Sequence, residues 1–126
     1  MARVLIIDDN TEFCAILQTH LETAGHAVAT ASRARTGLEM LEQQSFDLLL
    51  TDILMPEVDG IEVLRIVKRR WPGLPVIAVS GGGQIAARDL LEMVDHLGAD
   101  RVLQKPVRRE DLLAAIDTLL DELLDR

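Results

Sequence analysis

Aspartates, a serine and a lysine stand directly behind four short apolar runs, and their types are those of a reactive site. Asp8 and Asp9 follow residues 4–7 (VLII), and Asp52 follows residues 48–51 (LLLT). Ser80 follows residues 76–79 (VIAV) and opens onto Gly81, Gly82 and Gly83. Lys105, with Pro106 behind it, follows residues 101–104 (RVLQ). If the runs lie side by side, three carboxylates, one hydroxyl and one ammonium share an edge. Carboxylates so close repel one another at low local dielectric and call for a cation. A hard divalent ion with oxygen ligands suits them: Mg²⁺, with Mn²⁺ able to substitute. Lys105 offsets part of the remaining charge, and Ser80 can donate one hydrogen bond. A carboxylate can itself be the nucleophile that takes a phosphoryl group, with cations neutralising the phosphoryl oxygens.

Taken singly, each residue has a plainer explanation. Asp8 or Asp9 could cap a helix, and Asp52 could form a turn ahead of Pro56. Ser80 could be a loop hydroxyl, and Lys105 a solvated surface charge. Their coincidence behind four parallel runs weighs against four separate accidents.

The elements that must position these groups are legible from hydrophobic spacing. The four runs, with a weaker one at residues 27–30 (AVAT), are of strand length and apolar on both sides, as in parallel strands covered on both faces. Between them lie stripes at helical spacing: Phe13, Ile16, Leu17 and Leu21; Leu38, Met40 and Leu41; Ile61, Val63, Leu64 and Val67; Leu90, Leu91, Val94 and Leu97. A last stripe runs from Leu112 and Leu113 through Ile116, Leu119 and Leu120 to Leu123. Gly25, Pro72-Gly73 and Gly98 punctuate the pattern. Five βα units in alternation predict an α/β fold, a doubly wound parallel sheet with right-handed crossovers and helices on both faces. Sites in such sheets lie at the carboxyl ends of the strands.

The 126 residues fit a single domain over 1–126, and 48% hydrophobic content supplies its core. Aromatic residues are only 2%, so that core is aliphatic. A net charge of −8 repels nucleic-acid backbones and argues against direct nucleic-acid binding. One cysteine, Cys14, excludes an internal disulfide and suits a reducing, cytoplasmic setting; it is expected on the core side without a catalytic role. No stretch approaches the roughly 18 apolar residues of a membrane span. His20, His26 and His96 lack metal-ligand spacing. Trp71 is expected to cover the end of the third helix, and Arg69-Arg70 and Arg108-Arg109 to be solvated or partner-facing.

With these residues placed, the chain resembles the receiver-domain family of two-component response regulators. The resemblance covers about residues 4 to 120. It rests on residues 4–10 (VLIIDDN), on 47–60 (DLLLTDILMPEVDG), on Ser80, on 97–100 (LGAD) and on Lys105-Pro106. It implies a flavodoxin-like five-stranded sheet of order 2-1-3-4-5. It also implies roles: Asp52 as phosphoacceptor from a histidine kinase or histidine phosphotransfer protein, and Asp9 and Asp52 as direct Mg²⁺ ligands. Asp8 would act partly through water, and the Leu54 backbone carbonyl would complete the set. Lys105 would pair with Asp52 or with the phosphoryl group, and Ser80 would report its presence. The Lys105–Pro106 bond is usually cis in this family. Such a chain is a switch that acts on a downstream protein target. It is not an enzyme turning over a small molecule. A homodimer through the fourth and fifth helices is a candidate assembly.

The sequence departs from the family in three places. Val102 stands where an aromatic residue usually swings inward with the hydroxyl; valine is stiff at χ1 and has no ring. The triple glycine gives the loop behind Ser80 a high ordering entropy, so residues 81–86 are expected to order on phosphorylation. Leu54 and Gly82 bring no group to orient an attacking water, which implies modest intrinsic dephosphorylation. Three rivals fit less well. Residues 81–86 match the G-x-G-x-x-A of dinucleotide sites, but behind the fourth strand instead of the first. A metal-dependent phosphohydrolase with an aspartyl nucleophile wants its two aspartates two residues apart, and Asp8 and Asp9 are adjacent. With all five side chains present, a phosphorylation-independent binding module is disfavoured.

Overall fold

A computed structural model describes residues 2–53, 60–81 and 96–124. Leu54, Gly82, Gly83 and most of the predicted fourth helix, with Leu90, Leu91 and Val94, lie outside the described residues, as does the expectation for residues 81–86 beyond Gly81. The elements are β1 (Arg3–Ile7), α1 (Thr11–Thr23), β2 (Ala27–Ala31), α2 (Ala34–Gln43), β3 (Leu48–Asp52), α3 (Gly60–Arg70), β4 (Val76–Ser80), β5 (Arg101–Gln104) and α4 (Arg109–Leu124). The five strands form one parallel sheet of order β2-β1-β3-β4-β5, as expected.

Side chains alternate across this sheet, and each set meets its own layer of helices. Leu5, Ile7, Leu49, Val76 and Ala78 pack with Leu41 of α2 and with Val63, Leu64 and Val67 of α3. Val4, Ile6, Leu48, Leu50, Ile77 and Val79 pack with Cys14, Leu17 and Leu21 of α1 and with Leu112, Ile116 and Leu119 of α4. The inner strands β3 and β4 are buried along their whole length, and β1 everywhere but Arg3. That burial explains their uninterrupted apolar runs. The edge strands β2 and β5 are covered only in part; this accounts for the weaker run of β2, whereas the β5 run, read as covered on both faces, is not fully buried.

Two expectations are corrected. Ile16 is not in the buried stripe of α1; it is 54% exposed, and Cys14 fills that place. Positions 14, 17 and 21 give one face at helical spacing, and position 16 falls off it. Asp52 and Ser80 do not follow their strands but end them, because register pairing with Val79 and Gln104 carries each ladder one residue further.

At the amino-terminal end of the sheet the LGAD segment is tied down. Gly98 has a positive φ of 84°, and Asp100 Oδ2 accepts from the Val76 backbone N–H at 2.8 Å and from Lys68 Nζ at 3.1 Å. Trp71, half-buried behind α3, packs on the α2–α3 side under the Arg70 guanidinium, 4.6 Å from its ring centroid. No described helix is long and apolar enough to cross a membrane.

Candidate functional site

The carboxyl ends of β1, β3, β4 and β5 bring the expected groups together. Parallel pairing aligns Ile7 with Thr51, Asp52 with Val79 and Ser80 with Gln104, so the residues at these ends stand in a row. Asp8 leaves β1 with its N–H still bonded to the Ala31 carbonyl at 3.0 Å. Its Oδ1 accepts from the Asn10 N–H at 2.8 Å, which fixes the carboxylate in a tight local turn. Asn10, not Asp8 or Asp9, caps α1: its Oδ1 accepts from the Phe13 N–H at 3.0 Å. Both aspartates are thereby left free of capping duty.

Asp8 and Asp52 are buried, at 1% and 5% exposure, whereas Asp9 is exposed. One oxygen from each lies within 4.8 Å of the others. Lys105, directly behind β5, reaches into this cluster: its Nζ is 2.9 Å from Asp8 Oδ2 and 3.5 Å from Asp52 Oδ2. The shorter contact goes to Asp8, where the resemblance implied Asp52. Asp8 Oδ2 is turned toward the lysine because Oδ1 is held by Asn10. The Asp8 contact is an ion pair outside hydrogen-bond angles, so Oδ2 keeps acceptor capacity despite its burial. Burial by itself would lower the Lys105 pKa, but the negative charges of Asp8 and then Asp52 beside it outweigh that effect and raise it from 10.5.

Ser80 is fully buried, and its Oγ has no hydrogen-bond partner among the described residues. A buried hydroxyl without a partner is costly, so an acceptor arriving nearby would be welcomed. Its backbone carbonyl accepts from the Lys105 N–H at 2.8 Å, which ties the hydroxyl-bearing strand end to the lysine. The Lys105–Pro106 peptide bond is cis. Val102 is half-buried, paired with Ala78 and packed on the α2–α3 side of the sheet. Cys14 lies beside the site, with Sγ 3.4 Å from the Asp8 carbonyl. Burial first, then the Asp8 charge, pushes its thiol from 9.0 up to about 11, which suits an inert core residue.

One contact escaped sequence reasoning. Phe13, read only as part of an apolar stripe, presents its ring to Lys105, with Nζ 4.3 Å from the ring centroid. The signal available was an aromatic in the first turn of the helix behind an acidic pair, in a chain with only 2% aromatic residues.

Comparison with known proteins agrees with this arrangement. The family model described as "Response regulator receiver domain" matches residues 4–117. The response regulator receiver protein CpdR of Brucella abortus is 34% identical over 120 residues, covering 95% of this chain and 98% of that protein. The transcriptional regulatory protein GlrR of Escherichia coli is 31% identical over 121 residues, 96% of this chain but 27% of that protein. The chain thus spans about a quarter of such longer relatives. A CheY-like receiver domain from Methanospirillum hungatei superposes with a TM-score of 0.88 at 34% identity, over 97% of this chain and 95% of that one. A receiver domain from Clostridium thermocellum gives 0.86 at 33% identity, over 98% and 99%. The chain belongs to the response regulator receiver domain family of two-component signal transduction.

Proposed function

We propose that Asp52 is the phosphoacceptor of this receiver domain, and that a histidine kinase or histidine phosphotransfer protein is the donor. The supporting observation is the placement of Lys105 between Asp8 and Asp52, 2.9 Å and 3.5 Å away, in a cluster of three carboxylates. One ammonium cannot neutralise three carboxylates, and the buried Asp8 Oδ2 retains acceptor capacity. An all-oxygen donor set of this charge fits Mg²⁺, with Mn²⁺ as a substitute, held by Asp8, Asp9 and Asp52. The ion, when bound, neutralises carboxylate and phosphoryl charge during transfer.

The chain's own groups do the rest. An Asp52 carboxylate oxygen attacks phosphorus and forms the new O–P bond. The bond from phosphorus to the donor imidazole nitrogen breaks, and its electron pair leaves on the imidazole. Lys105 turns its charge from Asp8 towards the transferred phosphoryl oxygens. Ser80 Oγ–H gains the acceptor it lacks and couples phosphorylation to the end of β4. Val102 has no ring to follow that movement, so the change passes to β5 through packing alone. The product is a modified chain with altered binding to a downstream protein, without turnover of a small-molecule substrate. A single cysteine and a phosphohistidine donor suit the cytoplasm.

Intact-mass measurement after incubation with Mg²⁺ and acetyl phosphate tests this. One phosphoryl group is expected on the wild type and none on Asp52→Asn. A wild type that takes up no phosphoryl group, or a variant that still does, overturns the assignment.

A further inference from the structure

We propose that Phe13 is a positioning residue for phosphoryl transfer, its ring face holding the Lys105 ammonium at the mouth of the carboxylate cluster. The role rests on the reading of Asp52 as phosphoacceptor. Lys105 Nζ stands 4.3 Å from the Phe13 centroid, inside the range over which a ring quadrupole attracts an ammonium. The same nitrogen is 2.9 Å from Asp8 and 3.5 Å from Asp52. The ring therefore lies against a cation that bridges the buried carboxylates of Asp8 and Asp52.

The ring itself is held on two sides. Its backbone N–H donates to the Asn10 Oδ1 cap at 3.0 Å, which fixes the first turn of α1. Its side chain is half-buried against the α1–α4 side of the sheet. Asn10 N–H in turn donates to Asp8 Oδ1. One short segment thus sets both the carboxylate and the aromatic face that flank Lys105. A lysine has a flexible four-carbon stem and loses rotamer freedom when it is aimed. A ring that confines it beforehand lowers that cost in the transition state, where the ammonium must meet the phosphoryl oxygens.

A plain packing role for Phe13 predicts different behaviour, and fluorinated rings separate the two. Fluorine drains the ring quadrupole while nearly preserving shape. The full chain is prepared with 4-fluoro-, 3,5-difluoro- and 3,4,5-trifluorophenylalanine at position 13, and as Phe13→Leu. Initial rates of phosphoryl addition from acetyl phosphate are measured at saturating Mg²⁺. The rate is expected to fall stepwise with fluorine content, by about three- to tenfold in Phe13→Leu, at unchanged melting temperature across the fluorinated series. In a Lys105→Met background, which lacks the ammonium that faces the ring, the dependence on fluorine should vanish. A flat series in a chain whose wild type is phosphorylated overturns the positioning role alone. A wild type without phosphoryl addition overturns the acceptor reading and this role with it. The ring-current shift of the Lys105 ε-methylene protons reports whether the contact itself forms.

Discussion

The ammonium of Lys105 lies closer to Asp8 than to Asp52, 2.9 Å against 3.5 Å. Asp8 is also the carboxylate whose other oxygen is tied to the turn leading into α1. Were a cation held by the proposed cluster of Asp8, Asp9 and Asp52 to draw on that same Asp8 oxygen, it would compete with the lysine for it.

Replacing Lys105 by methionine should separate the two functions of that charge. Without the ammonium the carboxylates repel one another more strongly, so the metal-free protein loses stability. Mg²⁺ should then bind about tenfold more tightly. That factor is a gain of about 1.4 kcal/mol, well inside the ~4 kcal/mol that charges 4 Å apart feel at an effective dielectric near 20. Phosphoryl addition should nevertheless slow by at least about tenfold, because the transferred group loses its counter-charge. Calorimetric titration with Mg²⁺ beside the phosphorylation rate checks both. Unchanged or weaker Mg²⁺ affinity would contradict competition at Asp8.

Mg²⁺ should also stabilise the fold by simple linkage. At ten times its dissociation constant it adds about 1.4 kcal/mol, which raises the melting temperature of a domain this size by about 4–6 °C. Asp9 is exposed, so Asp9→Ala should leave the metal-free melting temperature nearly unchanged while abolishing most of the Mg²⁺ shift. Thermal melts with and without Mg²⁺ read this directly. A full shift in the variant would remove Asp9 from the ligand set.

Much of this site was legible because its groups end strands that are buried on both faces. β1, β3 and β4 read as unbroken apolar runs, so the residues at their ends, Asp8, Asp52 and Ser80, could be named from sequence spacing. The edge strand β2 alternates more weakly because half its surface meets solvent. Ile16 misled because helical spacing admits two neighbouring stripes, and only packing against β1 and β3 selects Cys14, Leu17 and Leu21. Three other features depend on distances between elements that no local pattern encodes. They are the preference of Lys105 for Asp8, its contact with Phe13, and the approach of α2 to Ile7.

The Cys14 thiol gives a pH prediction with a defined sign. Burial and then the charge of Asp8 raise it to about 11 from 9.0, so the folded chain holds this proton more tightly than the unfolded chain. Its contribution to stability is therefore fully present below pH 9. It declines between 9 and about 11, where the unfolded state loses the proton first. Alkylation by iodoacetamide should be negligible for the folded protein at pH 8 and rapid in urea at the same pH, with Cys14→Ala as the blank. Rapid labelling of the folded chain at pH 8 would mean that the thiol is open to solvent.

Gly37 in α2 has no room for a side chain, and this bears on the site one residue away from its obstacle. A Cβ built there would collide with Cγ1 and Cδ1 of Ile7, a fully buried residue that immediately precedes Asp8. In an open helix alanine would be favoured over glycine by about 1 kcal/mol. Here the added methyl must displace a side chain that is stiff at χ1 and packed on all sides, at a cost of roughly 1–3 kcal/mol. Gly37→Ala should therefore be destabilising by up to about 2 kcal/mol in urea denaturation. Because Ile7 leads into Asp8, phosphoryl addition should also slow. Ile7→Val removes the Cδ1 methyl and lets the remaining branches reseat, so Gly37→Ala should be less costly in that background. The coupling between the two sites should be about 1 kcal/mol. Simple additivity of the two substitutions would show that α2 moves away from β1 instead, and that the close approach at Gly37 does not constrain the carboxylate end of β1.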